Sequence, residues 1–251
     1  MNDLQKYFSK SLIATAALLV GASPALAQVP LGAASGFAVL AVTAVTCTSS
    51  AITGNVGLSP GTAFTNTGCT FSGATPPASN AAAVDAHTAF VSAYAALLAQ
   101  SRACTQTLSS LDGLNLPPGV YCVDATAKTG ALTLTGASNA AWTFLVTGAL
   151  TGTNFSVAMA GGGQPSNVFW APTGAATMTT STLQGNILAG DATAGSITLT
   201  GGTLTGRALA NVAVTMTGVG VVGSVAPAIP APVTDPVCVA PAISQSISPF
   251  K

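Results

Sequence analysis

The chain carries Ser196-Ile-Thr-Leu-Thr200, a small residue followed by apolar, Thr, apolar and Thr, and repeats this phrase in closely similar form. The other copies are AVTCT at 44–48, ALTLT at 131–135, ALTGT at 149–153, AATMT at 175–179 and AVTMT at 213–217. Successive side chains of a strand point to opposite faces, so each copy directs its apolar residues one way and its threonines the other. Each copy is therefore predicted to be a half-buried β-strand with an exposed Thr-x-Thr edge.

The spacing of the copies predicts that these strands stack. The last five begin 18, 26, 21 and 17 residues apart, about the length of one turn of a three-sided coil. A second kind of segment also recurs once per turn and is apolar at nearly every position: WTFLV at 142–146, NVFWA at 167–171, GNILA at 185–189 and GRALA at 206–210. The sequence thus predicts a mainly β fold, a three-sided β-solenoid with two columns of threonine on one side and another side that is covered.

One long helix is predicted at about 79–102. Ser79 or Asn80 can cap its start. An apolar stripe follows at helical spacing, formed by Val84, His87, Val91, Tyr94 and Leu98 with Phe90 and Leu97 beside them. Such a helix is about 33 Å long, and six stacked strands cover about 29 Å. Because the lengths match, we expect the helix to lie along the solenoid axis on the covered side.

The two ends of the chain differ in composition from the solenoid, which is predicted to span 28–224. Residues 1–27 have the pattern of an export signal, with Lys6 and Lys10 beside an apolar run at 11–20 and small residues at 24–27. The apolar run is too short to span a bilayer. Residues 225–251 form a Pro-rich tail. We therefore expect a secreted, extracellular protein without a membrane span.

The five cysteines fit an oxidising compartment. Their spacing suggests that Cys47 pairs with Cys69 and Cys104 with Cys122, which leaves Cys238 alone in the tail. Other pairings remain possible from the sequence.

Sparse charge excludes several classes of function. The chain has six basic and six acidic residues and a net charge of zero, so it lacks the basic clusters that neutralise nucleic-acid phosphates. His87 is the single histidine, and Asp85 lies two residues away on the predicted helix, where the side chains do not face each other. The aspartates are scattered, without the carboxylate pair of a polysaccharide-cleaving enzyme, and no Cys/His cluster has metal-ligand spacing. We predict no catalytic residue, no metal and no cofactor.

Several separate motifs resemble those of the secreted ice-binding proteins of cold-living bacteria, fungi and algae. They are PLGAASGFAVLA at 30–41, ITGNVGLSPGTAFT at 52–65, LNLPPGVY at 114–121, NVFW at 167–170, LQGNILA at 183–189 and LTGRALA at 204–210. This resemblance covers about 30–224. It implies a right-handed three-sided β-solenoid with a long helix beside it, and adsorption to ice through one flat side.

Strongly active members of that family often carry Thr-Ala/Gly-x-Thr/Asn at the edge of the ice-binding side. Here Thr200-Gly-Gly-Thr203 fits this pattern and Thr179-Thr-Ser-Thr182 fits in part. The corresponding stretches that begin at Thr135 and Thr217 depart from it.

The Thr-x-Thr strands are the predicted ice-binding site. Threonines lie about 6.6–6.8 Å apart along a strand and about 4.8 Å apart between strands, near oxygen repeats on ice planes, and the β-branched side chain is stiff. Threonine is common on exposed strands in any case, so the number of copies is what favours ice as the partner. The predicted residues are Thr46, Thr48, Thr133, Thr135, Thr151, Thr153, Thr177, Thr179, Thr198, Thr200, Thr203, Thr215 and Thr217.

The predicted function is therefore that of an extracellular monomer that binds ice crystals and inhibits ice growth and recrystallisation. The alternative is a structural or adhesive cell-surface solenoid that binds carbohydrate or protein. Which of the exposed sides touches ice is left open by the sequence.

Overall fold

The computed structural model describes residues 28–104 and 107–223. The predicted export signal at 1–27, the tail at 225–251 and Cys238 lie outside these residues. In chain order the strands are β1 (Phe37–Ala41), β2 (Ala44–Thr48), β3 (Ala51–Thr53), β4 (Asn55–Leu58), β5 (Ala63–Thr67), β6 (Thr70–Phe71), β7 (Thr107–Leu108), β8 (Asn115–Leu116), β9 (Gly119–Val123), β10 (Lys128–Thr135), β11 (Trp142–Val146), β12 (Leu150–Ala160), β13 (Val168–Pro172), β14 (Ala176–Gln184), β15 (Asn186–Ala189), β16 (Ile197–Thr205), β17 (Ala208–Ala210), β18 (Ala213–Thr217) and β19 (Gly220–Val222). The helix α1 is Asn80–Leu98, and short 3-10 helices lie at Gly32–Gly36, Ala99–Ala103 and Pro165–Asn167.

All strand pairs are parallel, and they form the three sides of a β-solenoid. One sheet has the order β4-β1-β17-β15-β13-β11-β9-β7 and forms the side that faces α1, here called the helix side. The second has the order β5-β2-β18-β16-β14-β12-β10-β8, and its long strands β12, β14 and β16 turn a corner onto another side, where their ends pair with one another. On that side β19 pairs with the end of β16, β3 pairs with β19, and β6 pairs with β3. The first halves of these strands form the Thr side, and the part beyond the corner is the third side. The predicted fold class is confirmed.

The order of the turns in space differs from their order in the chain. β1 pairs with β17, and β4 pairs with β1, so the first two turns stack beyond the last one. The helix then carries the chain back along the helix side, in contact with β4 and β1 first and with β11, β13 and β15 further on. This return path is why a helix as long as the solenoid is needed.

Two apolar clusters hold the elements together. The larger lies inside the coil and contains the inward residues of all three sides, including Trp142, Phe144 and Trp170. The smaller lies between the helix side and α1, and the sheet contributes Leu40, Leu145, Phe169, Leu188 and Leu209 to it. The helix-side strands are buried on both faces, which is why their sequences are apolar at nearly every position.

The buried face of the helix differs from the predicted stripe. The buried residues are Ala83, Ala86, Phe90, Ala93, Tyr94 and Leu97, whereas Val84 and Val91 are 54% and 39% exposed. The prediction of Val84 and Val91 in the packed stripe was wrong because alanines form much of the contact and let the helix approach the sheet closely. The segment Asn80–Ala103 is also long and apolar enough to span a membrane by length and composition. Packing on the solenoid accounts for the apolar residues of its buried face.

Both disulfides predicted from spacing are present. Cys47 bonds to Cys69 and Cys104 bonds to Cys122. The first ties the two turns at one end of the solenoid, and the second ties the segment after the helix to β9 near the other end.

Candidate functional site

Six adjacent strands of the Thr side bring twelve threonines into two unbroken columns. In the spatial order β5, β2, β18, β16, β14, β12, the strand register pairs each Thr-x-Thr with the next. The first column is Thr65, Thr46, Thr215, Thr198, Thr177 and Thr151, and the second is Thr67, Thr48, Thr217, Thr200, Thr179 and Thr153. We call these twelve residues the Thr array.

The strand 131–135 does not belong to the array, although its sequence fits the repeat best. Thr133 pairs with Ala158 and Thr135 with Ala160, which places both threonines on the third side. The predicted placement of these two threonines in the Thr columns was wrong, because alternation of apolar residues and threonine fits any half-buried strand and does not say which side of the coil it occupies. The 18 residues between 131 and 149 lead from the third side through β11 to the Thr side, so they are less than one turn.

One strand of the array was missed from the sequence. The segment Ala63–Thr67 reads AFTNT and supplies Thr65 and Thr67. Its Asn66 stands at a position where the other copies carry an apolar residue or Gly. Asn66 is tolerated because β5 is the last strand at this end, where its side chain is exposed and accepts a hydrogen bond from the backbone N–H of Cys69 at 2.9 Å.

The array rests on a close-packed layer of inward residues. Leu199 and Met178 lie between the threonines of their strands and are 2% and 3% exposed. Gly152 occupies the same position in β12, and a Cβ there would come within 2.3 Å of the Met178 methyl. Gly152 therefore leaves room for the Met178 side chain, so the spacing between the two strands stays regular.

The hydroxyl groups of the array are available to solvent. Each of the twelve threonines is half-buried or exposed. Within the described residues, none of their side chains hydrogen-bonds to a protein group. By contrast, Thr135 on the third side donates a hydrogen bond to Asn115 at 2.7 Å. A column of stiff, unpaired Thr side chains can present methyl and hydroxyl groups to water in a fixed pattern.

Charge is kept away from the array. In β10, the strand next to β12, the Lys128 side chain points inward and is 1% exposed. Its ammonium group donates hydrogen bonds to the Ser109 carbonyl at 2.7 Å and to the Asp124 carboxylate at 3.0 Å. The hydrogen bond from Lys128 is the main reason why the pKa of Asp124 is lowered. Arg207 is buried at the corner between the third side and the helix side, where burial lowers its pKa to about 10.

The remaining described aspartates also lie off the array. Asp85 is on the helix, and backbone hydrogen bonds from Ala194 and Thr193 lower the pKa of Asp191 in the loop before β16. Asp112 accepts a hydrogen bond from the backbone N–H of Ala131. No group of three or more His, Cys, Asp or Glu side chains in residues 28–104 and 107–223 could hold a metal ion. The array therefore offers water a neutral surface.

In each of the six strands, the residue after the second threonine has left-handed backbone and forms the corner to the third side. This residue is glycine in three strands, Gly68, Gly201 and Gly218, and the other three strands have Ser49, Asn154 and Thr180. Thr203 lies beyond the corner and pairs with Thr182 and Gly220 on the third side. Of the predicted site residues, the structure thus brings ten into the array, places Thr133, Thr135 and Thr203 outside it, and adds Thr65 and Thr67.

Comparisons with known proteins match this chain to one family and to several proteins described as ice-binding. A family model described as ice-binding-like matches residues 39–222. Ice-binding protein K3-B1 of Typhula ishikariensis is 32% identical over 204 residues, which is 68% of this chain and 82% of that protein. The crystal structure of an ice-binding protein from the Antarctic ascomycete Antarctomyces psychrotrophicus has a TM-score of 0.70 at 28% identity and covers 78% of this chain and 98% of its own. An ice-binding protein from an Antarctic biological consortium has a TM-score of 0.69 at 33% identity, with coverage of 78% and 91%.

These matches confirm the resemblance that the motifs indicated. The family and the relatives are described as ice-binding proteins, which are not enzymes. The prediction that the chain is not an enzyme is therefore confirmed by comparison.

Proposed function

The chain belongs to the ice-binding-like family, and on that premise we propose that it binds ice crystals through the Thr array. The observation that carries the proposal is the register: six adjacent strands present the same two threonines, without a gap or a charged residue. The proposed contact residues are Thr46, Thr48, Thr65, Thr67, Thr151, Thr153, Thr177, Thr179, Thr198, Thr200, Thr215 and Thr217.

The chemistry follows from the spacing and from the free hydroxyls. The threonines form a grid of about 6.6–6.8 Å along the strands and about 4.8 Å between them, close to oxygen repeats on ice. Hydroxyls can anchor water molecules, and the methyl groups between them favour water arranged in cages. Each contact is weak, but because the side chains are already fixed, little conformational entropy is lost on adsorption.

We further propose that the protein acts outside the cell as a monomer, where it limits growth and recrystallisation of ice. The export-signal pattern at 1–27 and the two disulfides support an oxidising, extracellular location. A protein adsorbed on a crystal forces the ice front to curve between the adsorbed molecules, which opposes further growth.

The test is partition into ice. The protein is mixed with an unrelated protein of similar size, and ice is grown slowly on a cold finger from the dilute solution. We expect the protein to be enriched in the ice and the unrelated protein to stay in the liquid, and we expect slow grain coarsening in frozen sucrose at micromolar concentration. Equal exclusion of both proteins from ice would refute the proposal.

A further inference from the structure

Two neighbouring turns carry an unusual residue at the corner between the Thr side and the third side. Asn154 and Thr180 have φ values of 49° and 48°. Left-handed backbone is uncommon for residues other than glycine. Asn adopts it more often than most other residues, but for a β-branched residue such as Thr it is a genuine outlier. Gly201 occupies the corner of the next turn, so glycine would fit the backbone at this position.

A hydrogen bond joins the two side chains across the turns. The Thr180 hydroxyl donates to Asn154 Oδ1 at 2.6 Å. A Cβ built on Gly201 would lie 3.4 Å from the Thr180 methyl, so the methyl lies on the Gly201 side and the hydroxyl on the Asn154 side. Both side chains are fixed in this way although both are exposed to solvent. The Asn154 amide nitrogen has no hydrogen-bond partner among the described residues.

The pair directly continues the array. Asn154 follows Thr153 in β12 and Thr180 follows Thr179 in β14. Residues with strained backbone cluster at functional sites, and Thr180 lies at the border of the candidate site. Its side chain is exposed and is held by a hydrogen bond to another exposed side chain, so burial in a core does not explain the strained backbone.

We propose that Asn154 and Thr180 form a corner pair that binds ice-like water, so that ice contact extends past the two Thr columns at these two turns. The Thr180 hydroxyl fixes Asn154 Oδ1, which leaves the amide N–H groups pointing to solvent as donors with a set orientation. This inference rests on the proposed function and names two contact residues beyond the array.

The experiment removes the two side chains without disturbing the backbone. The mature full-length protein is compared with Thr180→Gly, Asn154→Gly and the double variant, and thermal hysteresis and Tm are measured for each. Glycine adopts left-handed backbone readily, so we expect Tm to change by no more than a few degrees. Each single variant is expected to lose part of the thermal hysteresis. The double variant is expected to lose no more than either single one, because each change breaks the same pair.

Ser49→Gly is the matched control. Ser49 occupies the corner of β2 with φ 47°, but Gly68 and Gly218 stand at the corners of the two adjacent turns, so it has no partner across the turns. Glycine there causes the same change in backbone freedom, and we expect activity and Tm to stay at the parent values. Full activity in Thr180→Gly and Asn154→Gly, or an equal loss in Ser49→Gly, would overturn the corner pair.

A further variant separates this inference from the proposed function. If Thr198→Tyr loses activity while both corner variants keep it, the array is the ice-binding site and the corner pair is not. If the corner variants lose activity while Thr198→Tyr keeps it, the array is not the ice-binding surface and the corner pair cannot extend it, which overturns both proposals. A parent protein without ice activity overturns both.

Discussion

The Thr side and the third side of the solenoid are both built of parallel strands with apolar residues facing inward, but their outward residues differ. The Thr side repeats threonine through six adjacent strands in both columns. Across the corresponding column of the third side, the residues are Thr70, Ala51, Gly220, Thr203, Thr182, Ser156 and Ala131. The next column includes Val222, which is 47% exposed, opposite Thr53 and Thr205.

This difference indicates which part of the pattern folding requires. Inward alternation is kept on both sides because it forms the core. Outward uniformity is not needed for a stable strand stack, since the third side tolerates Gly, Ala and Val in the same fold. Folding therefore does not require the uniform threonine of the Thr side, and we attribute this uniformity to function.

The largest expected effect comes from the layer beneath the two surfaces. Leu199 and Leu204 lie in the same strand, β16, and are 2% and 1% exposed, the first under the Thr side and the second under the third side. Replacing either by Ala should cost about 2–5 kcal/mol of unfolding free energy, since each leaves a cavity. At a temperature where both variants are folded, we expect Leu199→Ala to lose ice activity, because the array above it loses its support, and Leu204→Ala to keep it. Equal activity in the two folded variants would contradict this distinction.

The disulfides provide a second matched pair of similar size. Their sequence separations are 22 and 18 residues, so each should contribute about 3 kcal/mol on the chain-entropy account. Removing Cys47–Cys69 by alanine substitution of both residues should also reduce activity, because this bond ties the turn that carries Thr46 to the last turn of the array. Removing Cys104–Cys122 should lower Tm by a similar amount without reducing activity. Thermal unfolding and thermal hysteresis of the two variants test this difference, and an equal activity loss in both would contradict it.

A smaller effect is expected at the end of the array. Thr65→Tyr changes a threonine in the last strand, so water is displaced from one edge only. We expect partial loss of thermal hysteresis, with a change in stability within about 0.5 kcal/mol. If Thr65→Tyr were as damaging as the same change in the centre, the array would not act as an extended surface.

The smallest expected effect is that of pH. Among the described residues, no outward position of the array titrates, and the single histidine, His87, lies on the helix. Thermal hysteresis should therefore be constant between about pH 5 and pH 9, and a change within that range would mean that a titrating group contributes to ice binding.

Stability, unlike activity, should depend on pH in acid. Hydrogen bonds lower the pKa of Asp124 and Asp191 in the folded protein. These carboxylates therefore stabilise the fold above their ordinary pKa of 3.8, and this contribution is lost as the pH falls through the lowered values. Tm measured across this range should decrease below about pH 4.

The sequence predicts the parts of the fold that depend on periodicity. Alternation identified the strands, the regular return of apolar segments identified the helix side, and the cysteine spacing identified both disulfides. The side on which a strand lies depends on loop lengths, and for that reason 131–135 was placed in the wrong column. The face of the helix was misjudged because small residues such as Ala83 and Ala86 form a packed surface as well as large ones do.

The details of the candidate site depend on contacts between turns, which no single turn reveals. Thr65 and Thr67 were missed because Asn66 interrupts the apolar pattern at the exposed end of the coil. The pair Asn154 and Thr180 is separated by 26 residues, and only the stacking of β12 on β14 brings them together. The left-handed backbone of Asn154 and Thr180 marks the pair in the structure, but backbone angles cannot be read from the sequence.

The most direct test of the account compares Thr198→Tyr with Thr203→Tyr in the mature protein. Both residues are in β16, one before the corner in the centre of the array and one after it on the third side. Both changes meet solvent and should leave Tm nearly unchanged. The account predicts that Thr198→Tyr abolishes most of the thermal hysteresis and the inhibition of recrystallisation, whereas Thr203→Tyr keeps most of both. Full activity in Thr198→Tyr with loss in Thr203→Tyr would show that the third side, and not the Thr array, contacts ice.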